Sequence, residues 1–229
     1  MKSNFEFLNR YWPALAQIGE TAENYLYSDP NACIFKIGLF AERLVQEILV
    51  FERMSEPEVD NTHANRIRIL KRAGLLPHEI DNTLYLLRKT RNSAVHAGAD
   101  SVDEAKMLLS MTYNLAVWFM ETYGDWGYIA SDFVMPEEVA HPDFEALIAE
   151  QEKKIAELSK QLAEVTTTVS GTTQKERAKQ SEKVSSMMNW TEAQTRCLID
   201  EQLQKAGWEA DTKNLRYSKG TRPVKGRNI

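Results

Sequence analysis

The run CIFKIGLFAERLVQEILVFE, residues 33–52, constrains this chain more than any other segment. Its apolar positions Ile34, Ile37, Ala41, Leu44, Val45 and Ile48 recur at spacings of three and four, the period of an α-helix with one buried stripe. Asp29 and Pro30 just before it have the chemistry of an N-cap and a first helical residue. A strand would need alternation, and residues 1–140 show no such pattern. Four further helices are expected around it. One carries Trp12, Leu15, Ala16, Ile18 and Ala22, with Pro13 in its first turn. One runs from about Thr62 to Ala73 and is stopped by Gly74. Another starts near Pro77 and continues through LYLLRKTRNSAVH. The last runs from Val102 to about Tyr123 and ends at Gly124. Short connections between them favour an antiparallel all-α bundle over residues 1–140. Phe133, Val134 and Met135, ahead of Pro136, are expected to lie over it as an extended strap.

The character of the chain changes after the bundle. Residues 141–165 carry Ile148, Ile155, Leu158, Leu162 and Val165 on heptad positions, with Gln151 in one core slot. This pattern fits a helical arm or a short coiled coil, and equally a single helix packed on its own bundle. Residues 166–188 are polar and poor in large apolar groups, so they are expected to form a flexible linker. From Trp190 an amphipathic helix is expected, with Thr191 and Gln194 placed for a capping box and Gly207 for the C′ position. The chain ends at Ile229 with nothing to pack that helix against, as the opening of a domain would.

Charge is distributed unevenly. Residues 1–140 hold 13 Lys+Arg against 20 Asp+Glu, a net of −7; residues 190–229 hold 8 against 5, a net of +3. After Asp211 come Lys213, Arg216, Lys219, Arg222, Lys225 and Arg227 with no acid among them. Those six are the candidate DNA-phosphate contacts, although a solvated basic loop has the same composition. Cys33 and Cys197 are far apart and read as small apolar residues in a reducing compartment, so a cytoplasmic protein is expected. No apolar run reaches the length of a membrane span. The four histidines, His63, His78, His96 and His141, show no metal-ligand spacing, and no metal site is expected; His63 and His78 are expected to be exposed near helix starts. No phosphate loop of the GxxxxGK[ST] type occurs, so neither a cofactor nor an ATP-driven motor is expected in this chain.

Two stretches carry family resemblances. TEAQTRCLIDEQLQKAGWEAD followed by LRYSKGTRPVKGRNI is similar to the opening of the endonuclease domain in the R (restriction and motor) subunit of type I restriction–modification enzymes. KSNFEFL at the N-terminus and LAVWFMETYGDWGY through FVMPEE resemble the same subunits. The likeness covers most of the chain and is weakest between about 145 and 188. It implies that residues 189–229 are the incomplete start of an α/β nuclease domain of the PD-(D/E)xK type, two helicase motors following in the parent. It implies as partners DNA and the methyltransferase and specificity subunits, and Mg²⁺ and ATP as needs of the parent. Glu192 would be the helix glutamate that supports such a nuclease site. The family's catalytic carboxylates would fall beyond Ile229, and the chain by itself is expected to cut no DNA.

The second resemblance lies in RNSAVH. Asn92 and His96 are one helical turn apart, and Arg91 beside them has a long side chain. A guanidinium, an amide and an imidazole together suit a phosphate, with the histidine able to move a proton near neutral pH. The spacing is similar to the R-x4-6-H signature of the HEPN superfamily, whose members are all-helical. That resemblance implies a HEPN-like bundle and, in many members, metal-independent ribonuclease activity in a dimer. Arg91, Asn92 and His96 are therefore candidate catalytic residues of a free-standing ribonuclease or toxin working as a homodimer. The other reading is a polar cluster that fixes a helix end, since a histidine at a helix C-terminus is favourable for structural reasons alone.

Overall fold

The computed structural model describes residues 2–55, 60–97, 101–138, 153–154, 173–211, 215 and 224, with side chains 93–97 set aside. These residues are predominantly helical, and no β-strand element occurs among them. After a 3-10 turn, Glu6–Arg10, come α1 (Pro13–Tyr25), α2 (Pro30–Phe51), α3 (His63–Arg72), α4 (His78–Ala97) and α5 (Val102–Phe119). The last turn of α5 widens into a π-helical turn, Met120–Gly124. Two more helices follow, α6 (Gln174–Ser186) and α7 (Glu192–Lys205).

The caps show why these boundaries fall where they do. Asp29 accepts from the Ala32 N–H, Thr62 from Asn65 and Ser101 from Glu104, each satisfying a donor that the helix cannot. Thr173 with Glu176, and Thr191 with Gln194, complete reciprocal capping boxes. At the other ends, Gly74 (φ +69°) and Gly207 (φ +87°) take the left-handed conformation. That turn lets Leu75 and Trp208 bond back to the Leu70 and Leu203 carbonyls.

Helix α2 is the axis of the bundle, packed by α1, α4 and α5. All six of its periodic apolar residues are buried to 1% exposure or less. Trp12 stacks at 4.2 Å on Phe119, and Phe51 meets Tyr123 edge-on at 5.6 Å. The strap forms as expected. Asn4 exchanges two hydrogen bonds with the Val134 backbone, Tyr113 donates to the Ser131 carbonyl at 2.6 Å, and Tyr27 donates to Pro136 at 2.8 Å.

Within the segment expected to be a linker, Gln174–Ser186 is instead a helix seated on the bundle. Its attachment is polar. Arg177 makes a bidentate ion pair with Glu52 at 2.7 and 2.8 Å, the two side chains being 5% and 1% exposed. The Trp118 indole donates to the Ser181 hydroxyl at 3.1 Å, and that hydroxyl donates to the Leu75 carbonyl at 3.3 Å. A shortage of apolar groups, the ground for expecting a linker, does not prevent docking when buried polar groups are paired one by one. The heptad stripe of the arm, from Ile148 to Val165, lies outside the described residues.

Candidate functional site

Arg91 lies on α4 and crosses α2. Its Nη1 donates to Glu42 Oε2 at 2.7 Å, and its guanidinium sits 4.9 Å from the Phe35 ring centroid. The aliphatic stem runs over Gly38, where an added Cβ would collide with the Arg91 Cβ, Cγ and Cδ. Glycine at position 38 is thus what allows α2 and α4 to approach here. Asn92 is exposed. His96 belongs to the same helix, and its side chain lies outside what is described. Of the candidate triad, then, the geometry defines Arg91, and it defines it as a clamp between two helices. Such a pair at partial exposure contributes on the order of 1 kcal/mol.

The sequence-level reading missed the neighbour that completes this cluster. His63, expected to be exposed, is buried to 9% exposure. Position 63 begins α3, but α3 packs on both α2 and α4, so the first turn is covered. Neither ring nitrogen of His63 has a hydrogen-bond partner among the described residues. Burial is the main force holding its pKa down to about 4; the Glu42 charge opposes that, and the charges of Arg88, Arg91 and Arg66 add to it. Arg66 is buried and donates from Nη1 to Glu42 Oε1 at 3.3 Å. One carboxylate therefore serves two guanidiniums. The available clue was charge: from Thr62 to Leu76 there are four cations, Arg66, Arg68, Lys71 and Arg72, and no acid.

Helix α7 rests on α4 and α5 through polar side chains. Lys89 donates to Glu201 at 2.7 Å and to Gln204 at 2.6 Å, and Gln194 donates to Ser110 at 2.7 Å. Lys205 lies 3.8 Å from the Tyr85 ring centroid; desolvation is the first cause of its lowered pKa, with Lys71 and Arg88 adding to it against Asp81 and Glu201. Glu192, the candidate support of a nuclease site, is 80% exposed and paired with Arg196 one turn along the helix at 2.5 Å. Among the described residues no group of three His, Cys, Asp or Glu side chains converges as a metal site would require. Glu192 alone does not fit a Mg²⁺ centre, and no chemical step is derived through one. Lys213, Arg216, Lys219, Arg222, Lys225 and Arg227 lie outside the described residues. No described helix is long and apolar enough to cross a membrane.

Comparison with known proteins gives two positive findings. The chain is 28% identical to the type I restriction enzyme EcoKI endonuclease subunit of Escherichia coli (strain K12), over an alignment of 278 positions. That alignment takes in 99% of this chain and 24% of the relative, so the chain spans about a quarter of the relative's length. The similarity agrees with the resemblance carried by the N-terminal, central and C-terminal motifs. No solved structure matches. Residues 20–189, which include α2 to α6, match a family model described as a domain of unknown function (DUF4145). A match over most of the chain identifies the bundle as that domain: the protein belongs to the DUF4145 family.

Proposed function

We propose that this chain acts in a type I restriction system as the N-terminal region of an endonuclease subunit. The observation that carries this reading is the similarity to one such subunit across nearly the whole chain. In this reading the bundle is a HEPN-like docking module for the methyltransferase–specificity core. Helix α7 opens the nuclease domain, Glu192 belongs to that domain's metal support, and the basic residues from Lys213 to Arg227 contact DNA. The parent would need Mg²⁺ and ATP, which carboxylates and a phosphate loop outside this sequence would bind.

Arg91 then serves as structure rather than catalysis. Its pairing with Glu42 and its seat on Gly38 give it work within the bundle, which a free-standing ribonuclease would not require.

The test is co-expression of the chain with the methyltransferase and specificity subunits encoded beside it. Co-elution in size-exclusion chromatography is expected, together with no cleavage of DNA or RNA by the chain alone. Elution as a separate species would sink the docking role. Metal-independent RNA cleavage that is lost in Arg91→Ala would replace it with the ribonuclease reading.

A further inference from the structure

His63, Arg66, Arg88 and Arg91 meet where α2, α3 and α4 join. His63 and Arg66 are buried, while Arg88 and Arg91 are half-buried and form the side nearer solvent. The charged groups that bear on the imidazole are one carboxylate, Glu42, and these three guanidiniums. Glu42 divides its two oxygens between Arg66 and Arg91, and Arg88 lies 5.2 Å from the Tyr85 ring centroid. Three positive charges against one negative leave an excess of two beside a neutral imidazole. That imidazole carries an N–H donor that meets no acceptor among the described residues. A buried donor left unmade costs about 1–3 kcal/mol. His63 is also the first residue of a helix of 10 residues, so the positive end of the helix dipole adds to the same point.

We propose that this junction is a binding site for a phosphate-class anion, held by His63 from below and by Arg66, Arg88 and Arg91 around it. Phosphate suits the donors because each guanidinium offers a planar fork and the oxygens of phosphate can accept from several at once. The Arg66 and Arg91 N–H groups that Glu42 does not use remain as donors, and the bound anion would accept from the imidazole. The negative charge would then favour the imidazolium, so binding raises the proton affinity of His63. A residue that only fills space would show no such linkage. The site stands apart from the restriction reading, and its failure would leave co-elution with the other subunits untouched.

The experiment is NMR of the His63 imidazole in the 229-residue chain, with inorganic phosphate and a short oligothymidylate as probes and sodium chloride at matched ionic strength as the control. Movement of the His63 resonances by inorganic phosphate, with an upward shift of its titration midpoint, supports a site for free phosphate or phosphomonoesters. Movement by the oligothymidylate alone supports a site for phosphodiesters of a nucleic-acid strand. Arg88→Gln should weaken either effect by about tenfold, the size of one charge-assisted hydrogen bond. Arg66→Gln should do the same, and circular dichroism checks that both variants keep their helix content. If neither probe moves His63, if chloride moves it equally, or if both folded variants respond like the wild type, the proposal is wrong.

Discussion

Helix α2 and helix α6 are held by opposite means. Of the thirteen buried residues of α2, ten are apolar side chains; of the four in α6, Arg177, Ser181, Val184 and Ser185, one is. Helix α7 resembles α6, burying Gln194, Leu198 and Glu201. Apolar burial is non-directional and scales with area, so many sequences satisfy it. Paired polar burial depends on each partner, since the loss of one leaves the other desolvated and alone. The bundle should therefore tolerate salt and fail cooperatively. The C-terminal helices should come away locally, through single substitutions or ionic strength.

The largest effect should come from the core. Trp118→Ala removes a fully buried ring and the indole that donates to Ser181, and should cost about 3–5 kcal/mol, read as a fall in the midpoint of urea unfolding. A loss below about 1 kcal/mol would mean that α5 is not the core helix described here.

Arg177→Ala should leave Glu52 buried and unpaired, a local penalty of about 3 kcal/mol. Undocking of α6 caps the loss, so hydrogen exchange should quicken in Gln174–Ser186 while α1 and α2 stay protected. Uniform destabilisation of both regions would break the distinction between them.

His63 provides a pH-dependent contrast. Its pKa is near 6.5 in an unfolded chain and about 4 here, so the unfolded chain takes the proton first. Stability from this group is full above pH 6.5, is lost as pH falls from 6.5 towards 4, and changes no further below that. The total approaches about 3 kcal/mol. The melting temperature of His63→Leu should therefore fall less than that of the wild type between pH 7 and pH 4. Parallel curves would place His63 in solvent.

The smallest effect belongs to the Lys89–Glu201 contact. Lys89 is partly exposed, so Lys89→Ala should cost about 0.5–1 kcal/mol, confined to α7. Added salt should speed exchange in wild-type α7 and have less influence in the variant. An α7 insensitive to both would mean that Leu198 holds it rather than the charges.

The sequence showed much of this architecture because the relevant signals are local. Periodicity marked α2, Asp29–Pro30 and Thr62 marked helix starts, and Gly74 and Gly207 marked ends, each within a few residues of its effect. The candidate site was legible only in part. Arg91 stood out beside Asn92 and His96, but its partners Glu42 and Gly38 are about fifty positions away in the chain. His63 could not be recognised as buried, since its cover comes from helices on either side of α3.

What the sequence by itself determined is the set of helices α1 to α5, the order in which they occur and the faces they bury. Helix period, capping and turn chemistry act over neighbouring residues and can be read from them. What only the tertiary structure decided is which polar groups meet. It made a polar tract into α6 through Arg177 and Glu52, made Arg91 into a clamp, and enclosed His63 among three arginines. Each of these contacts joins residues distant in sequence, and a charge does not carry the address of its partner until packing brings the two together.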